Sequence, residues 1–253
     1  EIHDSNIKLR IMEMDTHGQI MRDVEKSKIS NLSIINSNLT EETEIYDIEV
    51  NKANFNKCNF HSLAIFKNII FHSAEFINLS FKEKTSFAEV EWKTNFNPDN
   101  VEFVHLVDFH NCKFALGLNL TQTTFESRSN FKNNKGLENV EQSPRETYRI
   151  IKYNLHKIGN HIDANYYHKL ELERRLYDLE QNNENQMDQW VLKINKMTSD
   201  FGTNWVKSLI YIVVVGLVTL FLFCLFDFSK CSCDPNMLFK FMSVITRADQ
   251  FND

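Results

Sequence analysis

The stretch NKANFNKCNFHSLAIFKNIIFHSAEFINLSFKEKTSFAEVEW, residues 51–92, repeats a large aromatic side chain about every fifth position. These aromatic residues are Phe55, Phe60, Phe66, Phe71, Phe76, Phe81, Phe87 and Trp92. In an α-helix, five residues advance by roughly 500°, so the rings would line no single face. In one long strand, an odd spacing would put successive rings on opposite faces. The spacing therefore predicts a solenoid in which each repeat combines a short extended piece with a turn.

The apolar residues also show a longer period of 21 or 22 residues. After every fourth apolar centre the next step is six residues, as from Phe60 to Phe66 and from Phe81 to Phe87. The first members of these groups of four are Val24, Ile45, Phe66, Phe87, Phe109 and Phe131. Random apolar spacing would not keep the extra residue in phase. The pattern therefore predicts a four-sided coil with one additional residue at the same corner, over residues 24–140.

Each five-residue repeat is predicted to place two side chains inside the coil. The position two residues before each large apolar residue is small or apolar, as at Ala53, Cys58 and Ala64. Residues two apart share one face of an extended segment. The predicted core comprises Phe55, Phe60, Phe66, Phe71, Phe76, Phe81, Phe87, Trp92, Phe109, Phe114 and Phe125. We expect Phe71, in the central coil, to be fully buried.

The repeat resembles that of the pentapeptide-repeat family, which reads approximately Ala-(Asp/Asn)-(Leu/Phe)-x-x. ANF at 53–55 and AEF at 74–76 match this pattern closely, and the resemblance covers residues 24–133. It implies a mainly β fold, a right-handed four-sided β-helix with four repeats per coil. The sequence departs from the family pattern in the extra residue per coil, in the irregular spacing around Pro98, and at Arg22, where a small residue belongs.

Residues 1–23 are predicted to form an N-terminal cap. They include IKLRI at 7–11, in which apolar and polar side chains alternate as they do along a strand. The end of a solenoid exposes an open strand edge unless another segment covers it. We therefore expect this segment to continue or to cap the first coil.

Helical signals begin near residue 143, and residues 141–186 are predicted to form a helical hairpin. Ser143, Pro144 and Glu146 give the pattern of a capping box with proline at the first helical position. Gly159 is placed to end this helix. The hairpin is expected to cover the C-terminal edge of the solenoid.

The second predicted helix of the hairpin has Ile162, Tyr166 and Leu170 at helical spacing. The first interpretation is that the hairpin packs against the C-terminal end of the solenoid and covers its edge. The alternative is that the hairpin serves as a docking platform for a partner, with Tyr166, Tyr167 and Tyr177 exposed.

Residues 187–206 are predicted to form an amphipathic helix at a membrane surface. Trp190 and Ile194 fall on one side of this helix, and Lys193 and Lys196 fall on the other. An ordinary amphipathic helix packed on the hairpin would show the same pattern. The apolar segment that follows favours the membrane.

Residues 207–229 are predicted to form a transmembrane helix. SLIYIVVVGLVTLFLFCLF, at 208–226, has no charged residue and is close to the length of about 20 residues that a span requires. Trp190, Trp205 and Tyr211 are placed at the membrane interface.

The expected location is the bacterial inner membrane, with the solenoid on the cytoplasmic side. Basic residues are equally numerous on the two sides of the span, so charge alone does not orient it. The absence of a visible secretory signal and the preassembled solenoid favour a cytoplasmic N-terminal side. Five cysteines, of which Cys58 and Cys112 occupy interior repeat positions, fit a reducing environment.

Residues 140–228 also resemble a group of prokaryotic pentapeptide-repeat membrane proteins, in which a helical segment links the repeats to C-terminal transmembrane helices. The resemblance implies a second span beyond Asp253, and it carries over no catalytic residue. Residues 230–253 are read as an extramembrane segment of a chain that continues further.

Sequence motifs for chemistry are lacking, so we expect no enzyme activity, no cofactor and no metal site. The nine histidines are scattered, and no phosphate-binding glycine loop is present. Cys231 and Cys233 have the spacing for metal binding or a disulfide, but a plain loop is the simpler interpretation.

Three functions remain open, and the first is a membrane-anchored rigid scaffold or sensor for an unidentified protein partner. The second is a subunit of a pore or ion channel, for example an anti-phage effector that assembles as a homo-oligomer through its transmembrane region. The third is a DNA mimic. Residues 1–140 carry 20 acidic and 15 basic side chains, which is too weak an imbalance for a DNA mimic and of the wrong sign for nucleic-acid binding.

Overall fold

The computed structural model describes residues 10–11 and 27–226, and within them the chain forms a mainly β solenoid of about five turns followed by four helices. The helices are α1 Arg145–Lys157, α2 His161–Gln181, α3 Gln186–Ser199 and α4 Trp205–Phe226. The chain divides into two compact units, of which the first ends at Leu192 and the second begins at Lys193. Two sequence predictions are thereby confirmed at the coarse level, the solenoid and a single apolar helix at 205–226.

The solenoid is built from fifteen short strands. They are β1 Arg10–Ile11, β2 Ser27–Ile35, β3 Asn38–Leu39, β4 Thr43–Tyr46, β5 Ile48–Phe60, β6 Ala64–Lys67, β7 Ile70–Phe71, β8 Ala74–Phe81, β9 Thr85–Ala88, β10 Glu91–Trp92, β11 Asp99–Phe103, β12 Val107–His110, β13 Lys113–Phe114, β14 Thr123–Phe125 and β15 Ser129–Asn130.

The strands form two parallel sheets in which each strand pairs with its equivalents in the neighbouring coils. One sheet has the order β1-β4-β6-β9-β12-β15, and the other has the order β13-β10-β7-β5-β8-β11-β14, with β2 and β3 also paired to β5. Phe66 lies in register with Ile45 on one side and with Phe87 on the other. Phe87 in turn pairs with Phe109, so the period of 21 or 22 residues read from the sequence is the coil length.

The core consists of aromatic rings stacked from coil to coil. The Phe66 and Phe87 centroids lie 4.8 Å apart with planes at 11°, and the Phe87 and Phe109 centroids lie 4.8 Å apart with planes at 6°. Trp92 and Phe114 stack in the same way at 4.9 Å. This distance matches the spacing of neighbouring strands, about 4.7–4.9 Å, because each ring belongs to a different strand of the sheet.

Ten of the eleven predicted core residues are buried, and Phe71 is fully inaccessible. Phe125 is the exception, since it is only partly buried. It lies on β14, the last strand of its sheet, and stacks against Phe103 on one side at 5.4 Å. No further coil follows in that sheet, so the outer face of the ring remains partly open.

The irregular spacing around Pro98 reflects a local shift in which residues fill the interior. Phe96 stacks on Trp92 at 4.5 Å and forms a bridge with Leu118 in the next coil. Leu118 and Leu120 are both buried, as expected for a repeat that places two side chains, two residues apart, inside the coil.

Left-handed turn residues form two columns along the solenoid that sequence reasoning missed. They are Asp47, Asn68, Glu89, Asn111 and Asn133 in one column, and Asn36, Lys57, Asn78 and Asn100 in the other. Asn and Asp tolerate positive φ better than most residues. Their side chains also bridge coils, with Asn68 donating to Asp47 at 2.6 Å and Asn100 donating to Asn78 at 2.8 Å.

The two interior cysteines are predicted to resist alkylation in the folded protein. Cys58 and Cys112 are free and buried, and the Cys112 thiol donates to the Phe87 carbonyl at 3.2 Å. Burial raises the pKa of Cys112 to about 12, so very little reactive thiolate forms near neutral pH. We expect iodoacetamide to modify neither residue in the native state and both in urea, as read by peptide mapping. Rapid native modification of either would contradict their interior positions.

Helix α1 closes the C-terminal end of the solenoid, as expected. The Leu118 and Leu120 N–H groups donate to the Ser143 and Thr147 hydroxyls, both at 3.0 Å, and Tyr148 donates to the Leu137 carbonyl. These contacts satisfy backbone groups that the last coil would otherwise leave unpaired.

The predicted capping box at the start of α1 is wrong. The N-cap residue is Pro144, it makes no side-chain cap hydrogen bond, and the helix begins at Arg145. The Ser143 hydroxyl accepts from Leu118 of the solenoid instead. The Ser143 hydroxyl, which the local sequence assigned to the start of the helix, therefore bonds to the end of the solenoid.

The N-terminal cap is described only at Arg10–Ile11. These two residues pair in parallel with Glu44 and Ile45 of β4 and so extend the six-stranded sheet. The rest of the predicted cap lies outside the described residues, as does Val24 at the start of the predicted solenoid.

Candidate functional site

Helix α4 is the one described helix that is long and apolar enough to cross a membrane. Its window Trp205–Leu222 has a mean hydropathy of 2.2, and none of that window is buried within the protein. Apolar side chains around the whole circumference of α4, including Val213, Val214 and Val215, are therefore exposed. A helix that is apolar all round and faces no protein core fits a lipid environment.

The three predicted interface residues are distributed over α3 and α4. Trp190 lies on α3, where 65% of the residue is exposed, and Trp205 opens α4 with 74% exposed. Tyr211 lies one and a half turns into α4 and is half-buried. The basic Lys207 stands near the start of the same helix.

A shallow groove of about 580 Å³ lies against α4 within the second unit. Its lining includes Thr198, Ser208, Tyr211, Gly216 and Thr219. The Thr219 hydroxyl bonds to the Val215 carbonyl one turn earlier, so its polarity is satisfied within the helix. Small residues on a transmembrane helix permit close approach of another helix.

A buried carboxylate, Glu171, joins the two helices of the hairpin. Its side chain is 5% exposed and contacts Lys152 at 2.5 Å, Arg145 at 3.3 Å and Arg149 at 3.4 Å. The His168 ring lies 3.6 Å from the same carboxylate. Lys152, Arg145 and Arg149 all lie on α1, so this network fastens α2 to α1.

Opposing effects act on the pKa of Glu171, and the cations prevail. Burial acts to raise it, but the Lys152 hydrogen bond and the Lys152, Arg145 and Arg149 charges outweigh burial and lower the pKa below its usual range. The carboxylate is therefore ionised at neutral pH, and its ionised form stabilises the hairpin.

Replacing Glu171 with Gln should destabilise the protein at pH 7. Hydrogen bonds to charged groups contribute about 1.5–3 kcal/mol each when a partner is lost, so we expect a loss in that range in urea unfolding. Glu146→Gln is the matched control. Glu146 pairs with Arg149 at 2.7 Å, but both side chains are nearly half exposed, and we expect a loss below about 0.5 kcal/mol. Equal losses in the two variants would contradict the structural role of Glu171.

The effect of Glu171→Gln should shrink as the pH falls. The folded-state pKa lies below the unfolded value of 4.5, so the stabilisation is present above that value and is lost as the pH falls through the folded pKa. Unfolding curves at pH 7 and pH 3 measure this directly. A stability difference that stays constant between these two conditions would contradict the assigned ionisation.

Among the described residues, no group of three or more His, Cys, Asp and Glu side chains is arranged to hold a metal ion. His156 and His161 face each other with 3.1 Å between their Nδ1 atoms, and both are exposed. Cys231 and Cys233 lie outside the described residues, as does the rest of segment 230–253.

Charged side chains on the solenoid surface are paired along the coils. Glu91 contacts Lys93 and Lys113, both at 2.8 Å, and Glu102 contacts Lys82 at 2.9 Å. Such pairs neutralise acidic groups instead of leaving them in a continuous negative surface.

Of the three tyrosines assigned to a docking platform, only Tyr166 is exposed. Tyr167 is buried against the hairpin, and Tyr177 is half-buried beneath Arg174, whose guanidinium lies 5.2 Å from the ring centroid. Ile162 on α2 is also exposed.

No protein-family model, no curated protein and no solved structure matches this chain. The resemblance to pentapeptide-repeat proteins therefore rests on the repeat itself.

Proposed function

We propose that this chain is a membrane-anchored pentapeptide-repeat protein whose solenoid serves as a rigid scaffold or sensor for a protein partner. The observation that carries the proposal is α4, an apolar helix with no charged residue between 208 and 226 and with no side of its Trp205–Leu222 window buried in protein.

The family assignment is supported by the repeat and by its register. Large aromatic side chains pair at intervals of one coil, and each coil holds four repeats of five residues plus one or two more, as between Phe66 and Phe87. We infer a right-handed, four-sided β-helix from this period and from the resemblance. The prokaryotic origin follows from the same resemblance.

A protein partner fits the surface better than a nucleic acid or a DNA-mimic role. The acidic groups Glu91 and Glu102 are each paired with lysine. The surface there carries ladders of alternating acidic and basic side chains and not an electrostatic field of one sign. Polar ladders at strand spacing present hydrogen-bonding groups at regular intervals to an extended or repetitive partner surface. The location proposed is the bacterial inner membrane with the solenoid in the cytoplasm.

The second candidate is a pore-forming subunit that assembles through α4. The groove over Ser208, Gly216 and Thr219 favours it, because small residues let helices pack closely. Against it, ion pathways usually carry ionisable groups inside the bilayer, and α4 has none between 208 and 226.

Ion flux from liposomes separates the two candidates. Liposomes loaded with a pH-sensitive or chloride-sensitive dye and carrying the full chain at low density should remain as tight as protein-free liposomes. Melittin-treated liposomes serve as the positive control. Leakage that rises with protein density would reject the scaffold as the sole function and favour the pore.

A further inference from the structure

Helix α3 carries an apolar stripe that the described part of the chain leaves uncovered. The stripe consists of Met187, Trp190, Val191, Ile194 and Met197, each between 51% and 75% exposed. Steps of three and four residues place these side chains on one face of the helix. A contiguous exposed patch of this kind marks an interaction site on a soluble surface or at a membrane.

The opposite face of α3 is fixed to the hairpin, so the stripe is the outward face. Leu192 is buried, Asp188 pairs with Arg175 at 2.8 Å, and the Gln189 amide donates to the Leu179 carbonyl at 2.9 Å.

A short, ordered corner joins the stripe to the start of the apolar helix. The Asn204 and Gly202 N–H groups donate to the Ser199 carbonyl at 3.0 and 3.1 Å, and the Asn204 side chain accepts from the Lys207 N–H at the start of α4. Phe201 is buried within this corner. From Ser199 to Trp205 the chain could not reach beyond about 22 Å even if it were fully extended.

We propose that the α3 stripe lies on the surface of the same lipid bilayer that α4 spans, as a second attachment to the membrane. The proposal rests on the membrane anchorage proposed above. Because the corner is short, a bilayer that holds α4 is within reach of α3. Exposed Trp190 on α3 and Trp205 at the start of α4, with Lys193 at the edge of the stripe, are the residue types that favour the headgroup region.

A lipid surface accounts for the stripe better than a second copy of the chain does. The stripe ends close to the start of α4, so it is continuous with a surface that lipid already covers in the proposed function. An interfacial helix buries its apolar face about 5–10 Å into the headgroup and acyl boundary, which suits side chains the size of tryptophan, isoleucine and methionine.

Depth-dependent quenching in liposomes tests the proposal with the full chain. The first reporter keeps Trp190 as the sole tryptophan through Trp92→Phe and Trp205→Phe. The Trp92 position suits phenylalanine, because its indole N–H has no hydrogen-bond partner and its ring stacks parallel to Phe114. The second reporter replaces all three native tryptophans with Phe and adds Val214→Trp at the middle of α4.

We expect lipids brominated near the headgroup to quench Trp190 more strongly than lipids brominated deep in the acyl chains. The Val214→Trp reporter should show the reverse order. A quenched α4 reporter with unquenched Trp190 would overturn the second attachment while leaving the anchor intact. Two unquenched reporters would overturn the anchor as well. Blue-shifted Trp190 emission without bromine quenching would mean that protein covers the stripe, and it would reject the lipid.

A charge placed in the stripe provides the matched comparison. Ile194→Glu should reduce the quenching of Trp190 by at least about half, because a carboxylate resists transfer into the interface. Ile162→Glu adds the same charge at an exposed isoleucine on α2 and should leave the quenching unchanged. In both variants, the Val214→Trp reporter should still be quenched most strongly by lipids brominated deep in the acyl chains. Equal quenching in Ile194→Glu and the parent would contradict contact between the stripe and lipid.

Discussion

Replacing Phe87 with Ala should lower the free energy of unfolding of the solenoid by about 3–5 kcal/mol. Phe87 is fully buried and is sandwiched between Phe66 and Phe109, each with a ring centroid 4.8 Å away. It also meets Phe81 edge-on at 6.4 Å. Removing the ring leaves a cavity between three coils, and the sheets on either side cannot collapse without breaking register.

Urea unfolding followed through the buried Trp92 measures this loss. Ile65→Ala is the control, since Ile65 lies next to Phe66 on β6 but alternates to the outer face, where we expect a loss of about 1 kcal/mol or less. In a repeat protein each coil is supported mainly by its neighbours, so Phe87→Ala should also broaden the transition. If Phe87→Ala and Ile65→Ala unfold at the same urea concentration, the assigned coil register is wrong.

Placing an arginine in the middle of α4 should expel the helix from the membrane in a large fraction of molecules. Val215→Arg costs about 2.5–3.5 kcal/mol at the centre of a span on insertion scales. α4 has no acidic residue between 208 and 226 to pair with the new charge. We expect the fraction that remains in the membrane pellet after carbonate extraction to fall clearly below that of the parent.

Val206→Arg is the matched control for the span. It introduces the same side chain in the first turn of α4, beside Lys207, where the guanidinium can reach the headgroups. We expect it to extract like the parent. Full retention of Val215→Arg in the pellet would mean that α4 is not the anchor.

The sequence alone was sufficient to predict the solenoid, because one spacing rule governs its whole interior. Phe66 and Phe87 recur at the coil length, and their stacking follows from that recurrence. Phe125 has the same spacing but lies on the last strand of its sheet, so its burial depends on what covers the end.

The contacts of helices α1 and α2 were less predictable, because they join parts of the chain that are distant in sequence. Ser143 looked like a helix cap but serves the solenoid edge through Leu118, 25 residues earlier. In α2, the buried residues include Glu171, whose carboxylate is held by three cations of α1. A charged residue at a buried helix position gives no periodic apolar signal.

The apolar helix α4 was predictable as an element, since its composition is decisive over 208–226. Its surroundings were not, because none of its Trp205–Leu222 window is buried among the described residues. The left-handed Asn and Asp columns were also missed, although asparagine or aspartate at an interval of 21 or 22 residues was a visible signal at Asp47 and Asn68, at Asn78 and Asn100, and at Asn111 and Asn133.

Hydrogen–deuterium exchange of the full chain in lipid nanodiscs tests the central claim, a β-solenoid held to a membrane by α4, most directly. We expect peptides from 208–222 to remain unexchanged for hours, as do those from β5 and β8 in the solenoid core, because bilayer and core backbone amides are both hydrogen-bonded and shielded from water. Peptides from the exposed corner at 200–204 should exchange within minutes. Exchange of 208–222 on the time scale of that corner would contradict the membrane anchor, and equally fast exchange of β5 and β8 would contradict the solenoid.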